Sequence, residues 1–207
     1  RRPPRSTLFP CTTLFRSGTG VNVVTGRRVT AVERDGERLV VVDDGGERHP
    51  AEVAVRALGL KPRTRLAEEA GIEVGHGILT DRRLETSAEG IYALGDCAEV
   101  DGLVLPFVMP ISNAARALGP TLAGTETEVH YPVMPVIVKT PSCPIQFYAP
   151  PAGVDGAWHE EELDGGGIRG LFQDRDGQAR GFVLTGPAVA LKAELVKQVP
   201  GWFDNRY

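Results

Sequence analysis

The stretch ILTDRRLETSAEGIYALGD, residues 78–96, indicates an α/β fold. Two short extended segments, 78–80 and 84–86, precede residues 91–94, which are all apolar or aromatic and are predicted to form a buried strand. Gly95 and Asp96 follow that strand directly. Open α/β sheets bind their ligands at the carboxyl ends of strands, where a glycine lets the ligand approach the backbone. The sequence therefore predicts a ligand site at Gly95 and Asp96.

A helix is predicted after this stretch, at residues 110–123, where apolar residues recur at helical spacing. These residues are Ala114, Ala115, Leu118 and Leu122. Gly119 and Pro120 interrupt the pattern, and a proline inside a helix removes a backbone hydrogen bond. We therefore expect a kink or an early end of the helix at Pro120.

The chain before residue 78 is predicted to consist mainly of strands. Apolar residues indicate extended segments at 21–24, 28–33 and 39–43, the last two joined by a turn at 34–37. A strand buried on both faces is predicted at 51–60, because Val53, Val55, Ala57 and Leu58 are all apolar. A short helix is expected at 64–70, with Thr64 at its N-cap and Gly71 at its end.

The composition changes beyond Thr125. Strands are predicted at residues 133–139, 145–148, 158–163, 168–172 and 181–184, and a terminal helix at 188–198. Clusters of Pro, Gly and Asp separate these segments, which is typical of an antiparallel sheet. The sequence predicts a small α+β C-terminal domain, joined to the preceding region by a linker at 124–128.

The overall composition is that of a water-soluble globular protein. Of 207 residues, 42% are hydrophobic and 24% are charged, which excludes a disordered chain. No apolar run approaches the roughly 18 to 20 residues that a membrane span needs. The three cysteines include no C-x-x-C pair, which argues against a disulfide scaffold or a thiolate metal site and favours a cytoplasmic location. The net charge of −4 makes nucleic acid an unexpected partner.

Residues 1–17, RRPPRSTLFPCTTLFRS, differ from the rest of the chain. They contain four arginines and no acidic residue, repeat a Thr-Leu-Phe unit, and lack helical or strand periodicity. A targeting peptide is the alternative, but the segment has no apolar core and Pro3-Pro4 would break an amphipathic helix. The string resembles translated sequencing-adapter read-through. We therefore expect this leader to pack poorly, the natural gene to begin upstream of Gly18, and the chain to be a C-terminal fragment.

The string TSAEGIYALGDCAEVDG, residues 86–102, resembles the second flavin-binding signature of FAD-dependent pyridine nucleotide-disulfide oxidoreductases. The resemblance implies that Asp96, preceded by Gly95, hydrogen-bonds the ribityl chain of FAD. The alternative is that Asp96 only caps the following turn. Cys97 has no neighbouring base or second thiol in the sequence, so it is interpreted as a small buried hydrophobic residue.

The string LPFVMPISNAARAL, residues 105–118, resembles the helix of that family whose amino end faces the flavin pyrimidine. Unpaired N–H groups at Met109, Ile111 and Ser112 would then stabilise negative charge on the reduced flavin, together with the helix dipole. The alternative is an ordinary packing helix.

Together with EVHYPVMPVIVKTPSCPI, residues 128–145, the same helix resembles the rubredoxin–NAD reductase branch of the family. The implied fold is α/β, a partial two-dinucleotide-domain flavoprotein fold, followed by the small α+β domain. Residues 18–75 would end the NAD-binding domain, 76–125 would belong to the FAD-binding domain, and 126–207 would form a rubredoxin-binding-like domain. The implied cofactors are FAD and NAD(P)H, with Lys139 near the isoalloxazine edge and a rubredoxin-like electron carrier as partner.

The sequence also departs from that family. It contains no Gly-rich phosphate loop, since the pair Gly75 and Gly77 fails on spacing and context. His130 and His159 are expected at the surface, because neither stands in the His-Pro pattern of disulfide reductases. No catalytic residue is assigned. The alternatives left open are another acceptor (ferredoxin, a nitrite reductase, oxygen or a disulfide) and a non-catalytic binding module.

Carrier docking would use the C-terminal domain, whose residues 126–207 include seven basic and eleven acidic side chains. Docking to an acidic carrier must then depend on a local patch. The available cations are Arg169, Arg175, Arg180, Lys192 and Lys197. Trp158 and Phe172 are expected in the domain's own core, and Trp202 is the expected contact residue.

Overall fold

The computed structural model describes residues 22–140 and 142–204, within two compact units, Arg1–Gly59 and Leu60–Tyr207. The predictions for the leader at 1–17 and for Val21 lie outside the described residues. No helix within the described ranges is long and apolar enough to cross a membrane.

The first unit contains a three-stranded antiparallel sheet of β1 (Val29–Asp35), β2 (Arg38–Asp43) and β3 (Arg48–Ala51), in that spatial order. The turn between β1 and β2 includes Gly36, whose φ of +62° is a conformation that glycine adopts without steric cost. The predicted hairpin is therefore confirmed.

Two strand predictions in this unit are wrong. Residues 22–25 are not in a strand, and residues 53–60 form neither a strand nor a buried segment, with Val53 75% and Val55 84% exposed. The chain bends at Glu52 after β3, so residues 53–60 pair with no other strand of the described part of the chain. An apolar segment becomes a buried strand only when a neighbouring strand hydrogen-bonds with its backbone. Residues 54–58 instead line a groove of about 650 Å³ together with residues of β1 and β2.

The second unit begins with α1 (Arg65–Glu69), which confirms the predicted short helix. Thr64 stands at the N-cap, but its hydroxyl contacts Glu68 Oε1 at 2.5 Å and caps no backbone N–H group. Gly71 follows the helix with φ +74°, the left-handed conformation common at helix ends.

The next elements are β4 (Ile78–Thr80) and β5 (Ala98–Val100), which pair in parallel. The predicted buried strand at 91–94 is wrong: it forms only an isolated bridge between Glu85 and Tyr92, and Ile91 is 46% exposed. The hydrogen bonds of β4 go to β5 and its flanks instead, including Ile78 N–H to the Cys97 carbonyl at 2.8 Å. Residues 91–94 are therefore left without a continuous partner.

The long helix α2 (Val108–Leu122) starts two residues earlier than predicted and continues through Pro120. The expected early end is wrong because Pro120 lies in the last turn, where its missing N–H group removes a single helical bond. The helix buries Ala114, Ala117 and Leu118 in a core that also contains Leu84, Tyr131 and Met134.

The C-terminal part forms a five-stranded antiparallel sheet in the order β6-β7-β10-β9-β8, as the composition predicts. Its strands are β6 (Val136–Val138), β7 (Ile145–Tyr148), β8 (Gly156–Glu162), β9 (Ile168–Asp174) and β10 (Ala179–Thr185). The predicted terminal helix is instead a 3₁₀ helix, Gly186–Leu191, followed by one α-helical turn, α3 (Lys192–Leu195).

A second core lies between the central strand β10 and these terminal helices. Its buried side chains are Tyr148, Phe182, Leu184, Ala188, Leu195 and Val199. Trp202 packs against both cores, so the terminal segment connects the C-terminal sheet to the region around α2.

Candidate functional site

The turn of Gly95 and Asp96 connects Leu94 to β5. Gly95 has φ +91°, which a side chain would strain, and its carbonyl accepts the N–H group of Ala98 at 3.1 Å. Asp96 is exposed and forms no hydrogen bond or ion pair within the described residues. Its carboxylate therefore does not cap the following turn there and remains available to an external donor. Cys97, predicted to be buried, is only half-buried, and its thiol lies 3.6 Å from the Leu94 carbonyl oxygen.

Glu99 of β5, a residue that the sequence analysis did not single out, holds the loop at His76 and Gly77. Glu99 is 9% exposed, and one carboxylate oxygen accepts the N–H groups of His76 at 2.7 Å and Gly77 at 3.0 Å. Gly77 packs closely against the backbone of Cys97, since a Cβ on Gly77 would lie 2.8 Å from the Cys97 carbonyl oxygen. The Gly75–Gly77 pair thus has a structural explanation that its spacing did not reveal.

The amino end of α2 presents fewer free N–H groups than expected. Because the helix begins at Val108, the N–H groups of Ile111 and Ser112 fall where the carbonyls of Phe107 and Val108 accept them within the helix. The expectation of unpaired N–H groups at Ile111 and Ser112 is therefore wrong. The Ser112 hydroxyl also donates to the Val108 carbonyl at 3.1 Å.

Val108 and Met109 carry the N–H groups without an intrahelical acceptor, since Pro110 has none. Their side chains are 76% and 45% exposed. An exposed helix amino terminus with a positive dipole end attracts negative charge.

The Asp96 turn and the amino end of α2 flank the same core. Leu94 and Ala98, on either side of the turn, belong to the cluster that also contains Phe107 and Ala114 of the helix segment. One apolar cluster therefore fixes both elements. Lys139 is not a member of this cluster; it directly follows β6, is exposed, and forms no ion pair within the described residues.

The cations predicted for a docking patch are largely neutralised. Arg169 pairs with Glu161 at 2.5 Å, and Arg175 pairs with Asp155 at 2.9 Å. Arg180 is only 12% exposed and bonds Asp174 at 2.7 Å, so it is not available for docking. Hydrogen bonding from the Arg180 guanidinium holds the pKa of Asp174 below its ordinary value. Of the five predicted cations, only Lys192 and Lys197 lack a carboxylate partner within the described residues.

Two of the three predictions about which aromatic side chains are buried are wrong. Trp202 lies against both cores, with its ring 5.1 Å from that of Tyr148 and its Nε1 buried, so it is not an exposed contact residue. Trp158 is 36% exposed on the edge strand β8, although its ring contacts Phe172 edge-on at 5.5 Å. Phe172 is buried as expected.

A charged cluster around Arg82 and Arg83 was not predicted. It lines a surface cavity of about 540 Å³ with Asp81, Asp101, Glu126 and Glu128. Arg83 bonds Asp81 and Glu126 at 3.0 Å each, which raises its pKa, and the Arg82 guanidinium lies 4.1 Å from the centre of the Phe203 ring. Alternating charges near residues 81–83 and 126–128 were the only sequence signal, and nothing in the sequence places them together.

Neither His130 nor His159 takes part in a site; both are exposed, as expected. Burial raises the pKa of Tyr131 to about 12, and its ring stacks on Phe203 at 5.1 Å. Tyr131 is therefore part of the core rather than a proton donor at neutral pH.

Two family models match the chain. Residues 12–119 match the pyridine nucleotide-disulphide oxidoreductase family, and residues 128–199 match the rubredoxin binding C-terminal domain. The chain is 50% identical over 166 residues to a rubredoxin-NAD(+) reductase of Alcanivorax borkumensis, covering 80% of this chain and 43% of that protein. It is 40% identical over 173 residues to a nitric oxide reductase FlRd-NAD(+) reductase of Aeromonas salmonicida, covering 84% and 44% respectively.

The chain spans about half the length of the curated relatives that it matches. Its fold resembles that of a ferredoxin reductase from Rhodopseudomonas palustris, with a TM-score of 0.77, 22% identity, and coverage of 93% of this chain and 51% of that one. Since the first family model covers more than half of the residues, the chain belongs to the pyridine nucleotide-disulphide oxidoreductase family.

Proposed function

We propose that the chain is part of an FAD-dependent NAD(P)H oxidoreductase that passes electrons to rubredoxin or a similar small carrier in the cytoplasm. The observation that carries this proposal is the succession of two matches along one chain, an oxidoreductase segment followed by a rubredoxin-binding domain. Residues 18–75 would end the NAD-binding domain, 76–125 would complete the FAD-binding domain, and 126–207 would dock the carrier.

FAD, when bound, would take a hydride from NAD(P)H and release electrons one at a time. The residues near Asp96 fit such a ligand, because an exposed carboxylate without a partner in the described structure can accept a hydrogen bond from a hydroxyl group of the ribityl chain. A hydrogen bond to a charged acceptor contributes roughly 1.5 to 3 kcal/mol. Gly95 leaves the backbone beside Asp96 open, since no atom of the described residues, apart from its two chain neighbours, lies within 4 Å of where its Cβ would be.

The amino end of α2 would stabilise negative charge on the pyrimidine side of the flavin. The N–H groups of Val108 and Met109 would supply this contribution, because they have no acceptor within the helix, and Ile111 and Ser112 would act only through the helix dipole. Lys139, an exposed cation without an ion pair in the described residues, would lie at the isoalloxazine edge.

A carrier would contact the C-terminal domain through Trp158 and Lys197. Arg169, Arg175 and Arg180 would contribute less, because each is paired with a carboxylate. Trp158 on the edge strand β8 offers apolar surface, and Lys197 offers an uncompensated positive charge within the described residues. Aromatic residues are over-represented among the side chains that dominate protein interfaces.

A second candidate acceptor is the FlRd protein named in the Aeromonas salmonicida relative. The chain is less similar to that relative than to the rubredoxin reductase, at 40% against 50% identity. Rubredoxin is therefore the first acceptor to test.

A chimaera tests the proposal: residues 22–204 replace the matching half of the Alcanivorax borkumensis reductase. We expect a yellow protein that NADH bleaches and that reduces rubredoxin faster than FlRd. A chimaera whose flavin is bleached by NADH but that reduces neither carrier would contradict the carrier assignment.

A second chimaera carries only residues 126–204 and serves as the matched control for the flavin site. If this control binds FAD and the larger chimaera does not, residues 76–125 do not complete a flavin domain. If FlRd is the faster acceptor, the second candidate replaces the first.

A further inference from the structure

We propose that Asp43, Glu47 and His49 form a binding site for a divalent transition metal ion of the zinc class. One ligand atom from each side chain lies within 4.8 Å of the other two. Asp43 ends β2, Glu47 lies in the following loop, and His49 is in β3, so the hairpin brings the three together. This site lies in the first unit and is independent of the proposed flavin chemistry.

Asp43 is the residue that points to a ligand. Its side chain is 3% exposed, and Oδ1 accepts the N–H groups of Gly45 at 2.8 Å and Glu47 at 3.0 Å. These bonds fix the carboxylate, so that the buried Oδ2 faces the cluster, yet Oδ2 has no hydrogen-bond partner among the described residues. Carboxylates that ligate metal ions are themselves held by hydrogen bonds, and here Oδ1 accepts those bonds while Oδ2 accepts none among the described residues.

The spacing of the donors suits a tetrahedral ion. Asp43 Oδ2 lies 3.5 Å from His49 Nε2, too far for a strong hydrogen bond. Two ligand atoms that are each about 2.0 to 2.2 Å from a tetrahedral zinc lie about 3.4 Å apart. Glu47 is exposed and His49 is half-buried, so a cation can reach the site from solvent and the Glu47 side chain can close on it.

The donor set also selects the class of metal. Imidazole with carboxylates suits zinc, cobalt and nickel, whereas calcium and magnesium prefer oxygen ligands alone. Three protein ligands leave a fourth position for water, as in open zinc sites.

Arg27 is the competing cation. Its Nε lies 3.8 Å from Asp43 Oδ2, and its side chain is 50% exposed. A metal ion bound at Asp43 Oδ2 would replace Arg27 as the cation beside this carboxylate and would displace the Arg27 side chain toward solvent.

Zinc titration of the untagged 207-residue protein by calorimetry tests the site, with cobalt absorption as a second readout. We expect one equivalent of zinc per chain, and His49→Ala should weaken binding by about tenfold or more. Asp43→Asn should do the same while keeping the loop folded, because the asparagine oxygen can still accept from Gly45 and Glu47. Arg27→Gln should strengthen binding several-fold, since it removes a competing charge without removing a ligand. His159→Ala, an exposed histidine of the other unit, is the matched control and should leave the affinity unchanged.

Either of two results would overturn the proposal. One is zinc binding that His49→Ala leaves unaltered, which places the metal elsewhere. The other is no measurable zinc binding by a protein whose circular dichroism shows the sheet intact.

Discussion

Glu99 accepts the backbone N–H group of Gly77 at 3.0 Å, across the parallel pair of β4 and β5. The same oxygen accepts the N–H group of His76 at 2.7 Å. Glu99 follows Asp96 by three residues. The loop at His76 and Gly77 is therefore held by the strand, β5, that directly follows the candidate flavin turn. Hydrogen bonds to a charged, largely buried acceptor are among the stronger ones in proteins.

Glu99→Ala should therefore destabilise the second unit by about 1 to 3 kcal/mol, because it leaves two N–H groups without their acceptor. Glu99→Gln keeps an acceptor oxygen at the same place and should cost less. Urea unfolding followed by circular dichroism measures both. Equal losses for the two variants would mean that the hydrogen bonds are not the source of the stability.

Gly77→Ala should cost about 1 to 3 kcal/mol, because the new Cβ would lie 2.8 Å from the Cys97 carbonyl oxygen. Gly119→Ala in α2 is the matched control. Apart from its two chain neighbours and the helix's own backbone, no atom of the described residues lies within 4 Å of a Cβ at Gly119. Alanine there gains helix propensity but precedes Pro120, which disfavours helical backbone for a residue with a Cβ, so the two effects oppose each other and the net change should be small. The melting temperature should fall clearly for Gly77→Ala and change little for Gly119→Ala, and an equal change in the two variants would contradict the close packing at Gly77.

Stability should fall at acid pH through Asp174. Its pKa is lowered in the folded protein by Arg180, so the unfolded chain binds a proton first. The stabilisation is complete above the unfolded pKa of about 3.9 and is lost as the pH falls through the lower folded value.

Asp174→Asn keeps the turn bonds to Asp176 and Gln178 but not the ion pair, and should flatten the acid limb of a urea-midpoint profile between about pH 5 and pH 2. Asp176→Asn, at an exposed neighbouring position, is the control and should leave that limb steep. An acid limb that Asp174→Asn leaves unchanged would show that the ion pair does not contribute.

Trp202→Ala should destabilise the second unit by about 3 kcal/mol or more, because the ring fills space between two cores. Trp158→Ala should cost less, since its ring is 36% exposed on an edge strand. The free energies of unfolding of the two variants, measured by denaturant titration, should show this difference. In the proposed carrier complex the order should reverse, with Trp158→Ala weakening rubredoxin binding and a folded, conservative Trp202→Phe leaving it intact.

FAD should bind the 207-residue chain only weakly, because the sequence contains no Gly-rich loop to hold the pyrophosphate. Titration followed by flavin fluorescence should give no stoichiometric complex. Asp96→Asn should weaken the residual binding further, and a tightly yellow wild-type chain would contradict this expectation.

The sequence determined the features that depend on neighbouring residues along the chain. The hairpin of β1 and β2 follows from apolar segments on either side of the turn that contains Gly36, and the antiparallel C-terminal sheet follows from strands separated by short Gly- and Pro-rich connections. The helix α2 follows from its apolar spacing, and the Gly95–Asp96 turn follows from its motif.

Only the tertiary structure decided which apolar segments acquire a partner and which charges meet. Residues 53–60 and 91–94 have the composition of strands, but a strand also needs a neighbouring strand to hydrogen-bond with. In the second unit β5 pairs with β4 and not with residues 91–94. Trp202 is close to the C-terminus in sequence, yet its side chain packs against both hydrophobic cores. Arg180 of β10 forms an ion pair with Asp174 of β9, so its guanidinium is largely buried and is not an exposed cation. Local patterns report how a segment can fold, whereas burial and pairing depend on elements distant in sequence, and that is why these outcomes could not be predicted from composition and spacing.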